Sequence, residues 1–270
     1  MEQLNINLSF LEAESAEEYH AKARLNLSSH QLIDFMKCPY LYRQKQLGLI
    51  ERSETQAMII GRATHCRILE GANEYKSQFA IGGPVNPRTG KSFGTNTNAF
   101  KEWASAQDKP VIAEADAALI EKLSRGVSMN SEAVDLLLYG RSEGVVRTNY
   151  CNMPSQIRID WLHPHRGIVD LKTTRQPLEK FVSEVRKFRY HNQLAFYQAV
   201  LKEVLGEYVP CYIVAVEKVE PFRCGVWELS SCLLSQSRTE NQEAMAYLKQ
   251  CHLNDNWSTG YESIRTLNAF

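Results

Sequence analysis

The residues best suited to chemistry lie in SQIRIDWLHPHRGIVDLKTT, residues 155–174, where two carboxylates and two cations flank a short turn. Pro164 and Gly167 break the chain between two stretches of strand-like residues. If His163 pairs with Gly167 across a three-residue loop, Asp160 falls opposite Asp170 and Arg158 falls opposite Lys172. Residues directly opposite in an antiparallel pair share a face, and Asp170 shares its face with Lys172 because side chains alternate along a strand. Like charges set opposite each other are destabilising. A divalent cation between the two aspartates resolves one conflict, and a phosphate near Arg158 and Lys172 resolves the other. Mg²⁺ suits such a site, being a hard cation held by one or two carboxylates with water and phosphate in its remaining positions. The chemistry is then metal-assisted hydrolysis, in which Lys172 orients or deprotonates water or stabilises developing charge. Arg158 and the cation are expected to lower the Lys172 pKa and favour its neutral amine. On spacing alone, a hairpin whose charges simply face water is an equal alternative.

These residues need a scaffold. The strand patterns GVVRTNYC, SQIRIDWLH and GIVDLKTT form a three-strand meander. Helical segments at about 177–188 and 191–205 follow, then a strand pair in CYIVAVEKV and FRCGVWELS, and a closing helix over 231–250. Upstream, Ser28 or Ser29 is an N-cap for a helix carrying Leu32, Ile33, Phe35 and Met36. Pro39 ends that helix or begins the next. A helix over 54–70 carries His65 and stops at Gly71. Residues 82–98 read as loop, the foremost candidate for a mobile element, and helices resume at about 97–107 and 114–138. Residues 1–26 are expected to be an acidic, weakly structured lead-in. Residues 27–270 form one α/β domain with a helical N-terminal part.

A histidine on a helix is more often a satisfied core residue than a ligand, although Gly61, one turn before His65, leaves room for an incoming group. Gln193 and Tyr197, four residues apart, share a helix face. The His163-Pro164-His165 turn is expected to be solvent-exposed, without a metal. The seven cysteines form no CxxC pair, and free thiols without an iron–sulfur cluster are expected.

The formal net charge is zero, with 31 basic and 31 acidic residues, so any nucleic-acid surface must be local. Arg175, Lys180, Arg186 and Lys187 supply one basic segment, and Arg88, Lys91 and Lys101 another. The acidic residues Glu12, Glu14, Glu17 and Glu18 are expected to lie apart from them. No apolar run approaches the roughly 20 residues of a membrane span, and the polar start is not a signal peptide. A cytoplasmic protein without a membrane association is expected.

The pattern Asp160…Asp170-Leu171-Lys172 resembles the signature of the PD-(D/E)xK nuclease superfamily. LSSHQLIDFMKCPYLYR resembles the opening helices of its RecB-like branch, IGRATHCRILE the branch's metal-binding histidine helix, and YHNQLAFYQ its Q-x-x-x-Y element. With the wording DLKTT, the whole is most similar to the exodeoxyribonuclease VIII (RecE-type) nuclease domains, over roughly residues 27–230. Aspartate at the third acidic position, where many superfamily members have glutamate, agrees with that type. The resemblance implies a restriction-endonuclease-like core, a central mixed sheet flanked by helices. It implies His65, Asp160, Asp170 and Lys172 as the catalytic set. The cation, Mg²⁺ with Mn²⁺ as substitute, would be held by His65, Asp160, Asp170 and the Leu171 backbone carbonyl. Gln193 and Tyr197 would border the site and contact the cleaved DNA strand or a catalytic water, joining Arg158, whose register already suits a DNA phosphate. It further implies processive 5′-to-3′ digestion of double-stranded DNA from its ends, a ring-like homo-oligomer, and a single-strand-annealing recombinase as partner. A RecB-like single-strand exonuclease and an inactive DNA-end-binding scaffold are the competing readings.

Overall fold

The computed structural model describes residues 4–50 and 54–266. The N-terminal half runs β1 (Glu12–Ala13), α1 (Ala16–Lys22), α2 (Ser29–Lys37), α3 (Pro39–Gln46), α4 (Gln56–His65), α5 (Ala72–Gln78), β2 (Ala80–Ile81), α6 (Asn98–Ser105), β3 (Val111–Ile112), α7 (Glu114–Ser128) and α8 (Ser131–Leu136). The C-terminal half runs β4 (Arg141–Tyr150), β5 (Met153–His163), β6 (Gly167–Thr174), α9 (Phe181–Phe188), α10 (Tyr190–Leu205), β7 (Cys211–Glu217), β8 (Cys224–Glu228) and α11 (Ser231–Asn254).

Local chemistry sets many of these boundaries. The Ser28 hydroxyl accepts from the Gln31 N–H, and the Gln31 side chain accepts from the Ser28 N–H, a reciprocal cap that starts α2. Cys38 ends α2 and caps α3, with Pro39 in the first turn where its missing N–H costs nothing. The helix carrying His65 continues as a π turn through Cys66–Glu70 and stops at Gly71, whose φ of 94° is easily reached only by glycine.

The main sheet is mixed, in the order β1-β4-β5-β6-β7-β8. The β6–β7 pair is parallel and the other four pairs are antiparallel. β7 is buried along its whole length, as a strand covered on both faces should be. One face packs Ile168, Ile213 and Ala215 against α2, α10 and α11, through Phe35, Phe196, Val200 and Met245. The other packs Val169, Leu171, Val214 and Val216 against α7 and α8, through Leu123, Val127 and Leu136. The expected α/β architecture, a mixed sheet between helices, is the observed one. Among the described residues no helix is long and apolar enough to cross a membrane.

Two expectations need correction. Residues 1–3 lie outside the described residues, but the rest of the lead-in is not weakly structured: β1 extends the sheet by pairing with β4, and α1 follows behind a reciprocal Ser15–Glu18 cap. Its acidic residues find a basic partner outside the two basic segments. Glu14 receives both Arg147 guanidinium nitrogens at 2.7 and 2.6 Å, and Glu12 a third contact at 2.9 Å. This pairing joins segments about 130 residues apart, beyond the reach of local spacing. Finally, His163 is not exposed: it is buried, and its Nδ1 accepts from the N–H groups of His165 and Arg166, both at 3.0 Å, closing the turn.

Candidate active site

The site exists because β5 and β6 separate. Their ladder holds only His163↔Gly167, Leu162↔Ile168 and Trp161↔Val169. The register expected at the turn is therefore present, but it stops one rung short of Asp160 and Asp170. Beyond that point β5 follows β4 and β6 follows β7. Asp160 fills the opening by accepting the Leu171 N–H at 2.9 Å through Oδ2. The expected pairing of Arg158 with Lys172 does not occur. Arg158 sits opposite Val145 on β4, with Nε 2.7 Å from Glu143 Oε2, whereas Lys172 Nζ lies 2.7 Å from Asp170 Oδ2. Strand separation thus replaces a conflict of like charges with two contacts between opposite ones.

A second interruption lies on the other side of β5. The β4–β5 ladder passes from Ser142↔Trp161 to Gly144↔Ile159, and the intervening rung, where Glu143 would face Asp160, is missing. Glu143 has φ 53°, a left-handed conformation that is uncommon for a non-glycine residue and costs about 1–3 kcal/mol. The end of α4 closes the group, with His65 Nδ1 3.5 Å from Asp160 Oδ2. Potential ligand atoms of His65, Glu143 and Asp160 all lie within 4.8 Å of one another.

The electrostatics fit a cation. Burial, then the neighbouring Asp160 charge, pushes the Glu143 carboxyl up to about 8. Burial also raises Asp160 and Asp170 above the usual carboxylate range, against the opposing pull of Lys172. Burial, reinforced by the Lys172 charge, lowers His65 to about 4, while Asp170 and a hydrogen bond to the Leu171 backbone oppose that fall. His65 is therefore a neutral imidazole at pH 7, the form that ligates metals. Asp170 Oδ2 makes no hydrogen bond of good geometry despite its contact with Lys172. Clustered carboxylates, Asp170 buried and Glu143 and Asp160 partly so, beside a neutral histidine are what a divalent cation would relieve.

Lys172 departs from expectation. Burial disfavours its charge, but Asp170 and Asp160 outweigh burial and raise its pKa. Without a bound cation it is an ammonium, because two carboxylates surround it and Arg158 is engaged elsewhere. Gln193 and Tyr197 are both buried. Gln193 Nε2 donates to Asp170 Oδ1 at 3.2 Å and to the Tyr197 hydroxyl at 3.3 Å, so its observed contacts orient a carboxylate.

His65, Glu143, Arg158, Asp160 and Tyr197 line a cavity of about 930 Å³ that Glu14 and Tyr19 border from the lead-in. Beyond Tyr19 a second cavity of about 610 Å³ contains Lys37, Lys45, Phe188, Tyr190 and Gln193. Glu143 was absent from the sequence-derived set. The signal that points to it is the turn at Cys151–Asn152: pairing Tyr150 with Met153 sets Glu143 opposite Asp160 by counting along both strands.

A family model described as "PDDEXK-like domain of unknown function (DUF3799)" matches residues 28–269. No curated protein has a matching sequence. The crystal structure of a protein from Eubacterium rectale, described as a "putative exonuclease", superposes with a TM-score of 0.68 at 14% identity, covering 96% of this chain and 97% of that one. At that identity the likeness concerns the fold. The family match extends over most of the chain and includes β4, β5, β6 and α4, the elements that assemble the site, so the protein belongs to the family of PDDEXK-like domains.

Proposed function

We propose that this protein is a Mg²⁺-dependent exodeoxyribonuclease that digests double-stranded DNA from its ends, with Mn²⁺ able to substitute. The observation that carries this reading is the convergence of His65, Glu143 and Asp160 within ligand distance of one another, beside the Lys172–Asp170 pair. His65, Glu143 and Asp160 would hold the cation, with Asp170 and the Leu171 carbonyl adjoining. When bound, the cation supplies a lowered pKa for a water molecule and neutralises phosphate charge. The Lys172 ammonium contributes a fixed positive charge for the transition state. Gln193 holds Asp170 in one orientation, and Arg158 balances Glu143 at the cavity wall. The exonuclease description of the structural neighbour supports action at ends. The 5′-to-3′ direction, a homo-oligomeric ring and a single-strand-annealing recombinase as partner rest on the RecE-type resemblance. The intact set of carboxylates and lysine weighs against an inactive scaffold.

End-labelled linear duplex, covalently closed circular duplex and single strands test the proposal. Mg²⁺-dependent release of acid-soluble nucleotides from the linear duplex, and none from the closed circle, is expected. Cleavage of the closed circle would overturn end-dependence, preference for single strands would overturn the duplex assignment, and release from no substrate with either metal would overturn nuclease activity.

A further inference from the structure

The corner between α9 and α10 is strained for an identifiable result. In a continuous helix, residues two apart point in widely divergent directions, so Phe188 and Tyr190 would not meet. Arg189 between them is left-handed, with φ 58° and ψ 39°, which costs a non-glycine residue about 1–2 kcal/mol. Its guanidinium is held in place by Asn192 Oδ1 at 3.2 Å and Glu240 at 3.6 Å. The break brings Phe188 and Tyr190 into a stack, with centroids 5.7 Å apart and planes 27° from parallel.

This aromatic pair adjoins the reacting groups. The Lys172 ammonium stands 4.9 Å from the Tyr190 ring centroid, and Phe188 is the outer ring, 42% exposed. Both line the 610 Å³ cavity beyond Tyr19, together with Lys37 and Lys45. That volume is within the roughly 300–1,000 Å³ of small-molecule sites. Lys187, whose ammonium is 5.5 Å from the Phe188 ring, adds a flexible positive charge at its edge. An exposed aromatic face with lysines around it matches the chemistry of a nucleotide whose base is free to stack.

We propose that Phe188, backed by Tyr190, is a stacking shelf for one unpaired nucleobase at the end of the strand entering the active site. The inference rests on the nuclease reading and deepens it: the terminal base leaves its partner before the adjoining phosphodiester reaches Lys172. A duplex end must fray by at least one pair, and Tyr190 couples the seated base to the lysine through its ring.

Oligonucleotides carrying the fluorescent base 2-aminopurine at the terminal nucleotide test the shelf in metal-free buffer, where binding is read without turnover. The wild-type protein is expected to quench the terminal base. Phe188→Ala should lose the quench and bind about tenfold more weakly, whereas Phe188→Trp should keep both. With Mg²⁺ present, an abasic terminal nucleotide should slow wild-type cleavage about tenfold, and Phe188→Ala should cleave normal and abasic ends at equal rates. Equal quenching by wild type and Phe188→Ala, or wild-type indifference to the abasic end, overturns the shelf. Quenching that depends on Phe188 in a protein that cleaves nothing supports the shelf and overturns the nuclease reading instead.

Discussion

At the residue scale, two of the candidate ligands, Asp160 and Glu143, should separate from Lys172 by what they lose. Asn at position 160 still presents an oxygen to the Leu171 N–H, so Asp160→Asn should fold normally while losing the charge that holds a cation. Glu143→Gln should do the same, because the amide keeps the shape of the side chain and loses only the carboxylate that a cation would need. Both substitutions are expected to reduce cleavage by at least about 10²-fold. Lys172 has no lone pair to offer when protonated. Lys172→Met should therefore lose turnover by a similar factor yet still take up Mg²⁺ in calorimetric titration. Loss of the metal from Lys172→Met as complete as from Asp160→Asn would contradict the division of roles.

At the element scale, the lead-in is fastened by one ion cluster whose pH response has a definite sign. Hydrogen bonds from Arg147, opposed by partial burial and assisted by Lys22, lower the Glu14 carboxyl to about 2. A depressed carboxyl stabilises the folded form above its unfolded value, near 4.5, and loses that contribution as pH falls toward 2. Protection of the β1 and α1 amides, measured against the intrinsic exchange rate at each pH, should consequently fall between pH 4.5 and 2.5, before that of β6 and β7. Glu14→Gln should show the lower protection already at pH 6. Protection in β1 and α1 that is insensitive to both changes would mean the segment is held by the β1–β4 pairing and the packing of Leu11 and Tyr19 without help from the ion cluster. Because Glu14 and Tyr19 border the candidate active-site cavity, a loosened lead-in should, on the proposed nuclease function, also raise KM for DNA more than it changes kcat.

For the whole molecule, the raised carboxyls link stability, pH and metal. Unfolded, Glu143 ionises near 4.5; folded, it keeps its proton to about 8. Between those values the unfolded chain binds fewer protons, so metal-free stability should fall as pH rises. A cation competes with that proton, and its uptake should release protons below about pH 8. The rise in melting temperature caused by Mg²⁺ should therefore be larger at pH 8.5 than at pH 6, and a gain independent of pH would argue against Glu143 as a ligand. Assembly is a separate expectation. Processive digestion by a closed ring predicts a scattering mass several times the 30.8 kDa of one chain, and a monomer at working concentration would remove the ring.

The sequence by itself determined the local and periodic features. Strand alternation with the Pro164–Gly167 breakers set the turn register, capping residues started α2 and α3, and helical spacing put Gln193 beside Tyr197. These depend on neighbours within about a turn or a hairpin, which composition and spacing can express. Only the tertiary structure decided where β5 and β6 part, because separation depends on β4 and β7 competing for their outer edges. That parting moved Arg158 from Lys172 to Glu143 and turned an expected like-charge pair into opposite-charge contacts. The same holds for Glu143 itself. It enters the site through a two-residue turn, Cys151–Asn152, with both residues at positive φ and without the glycine that usually announces such a turn. The lead-in was misjudged for a related reason: its acidic residues look solvated until Arg147, about 130 residues away in sequence, is brought against them by the β1–β4 pairing.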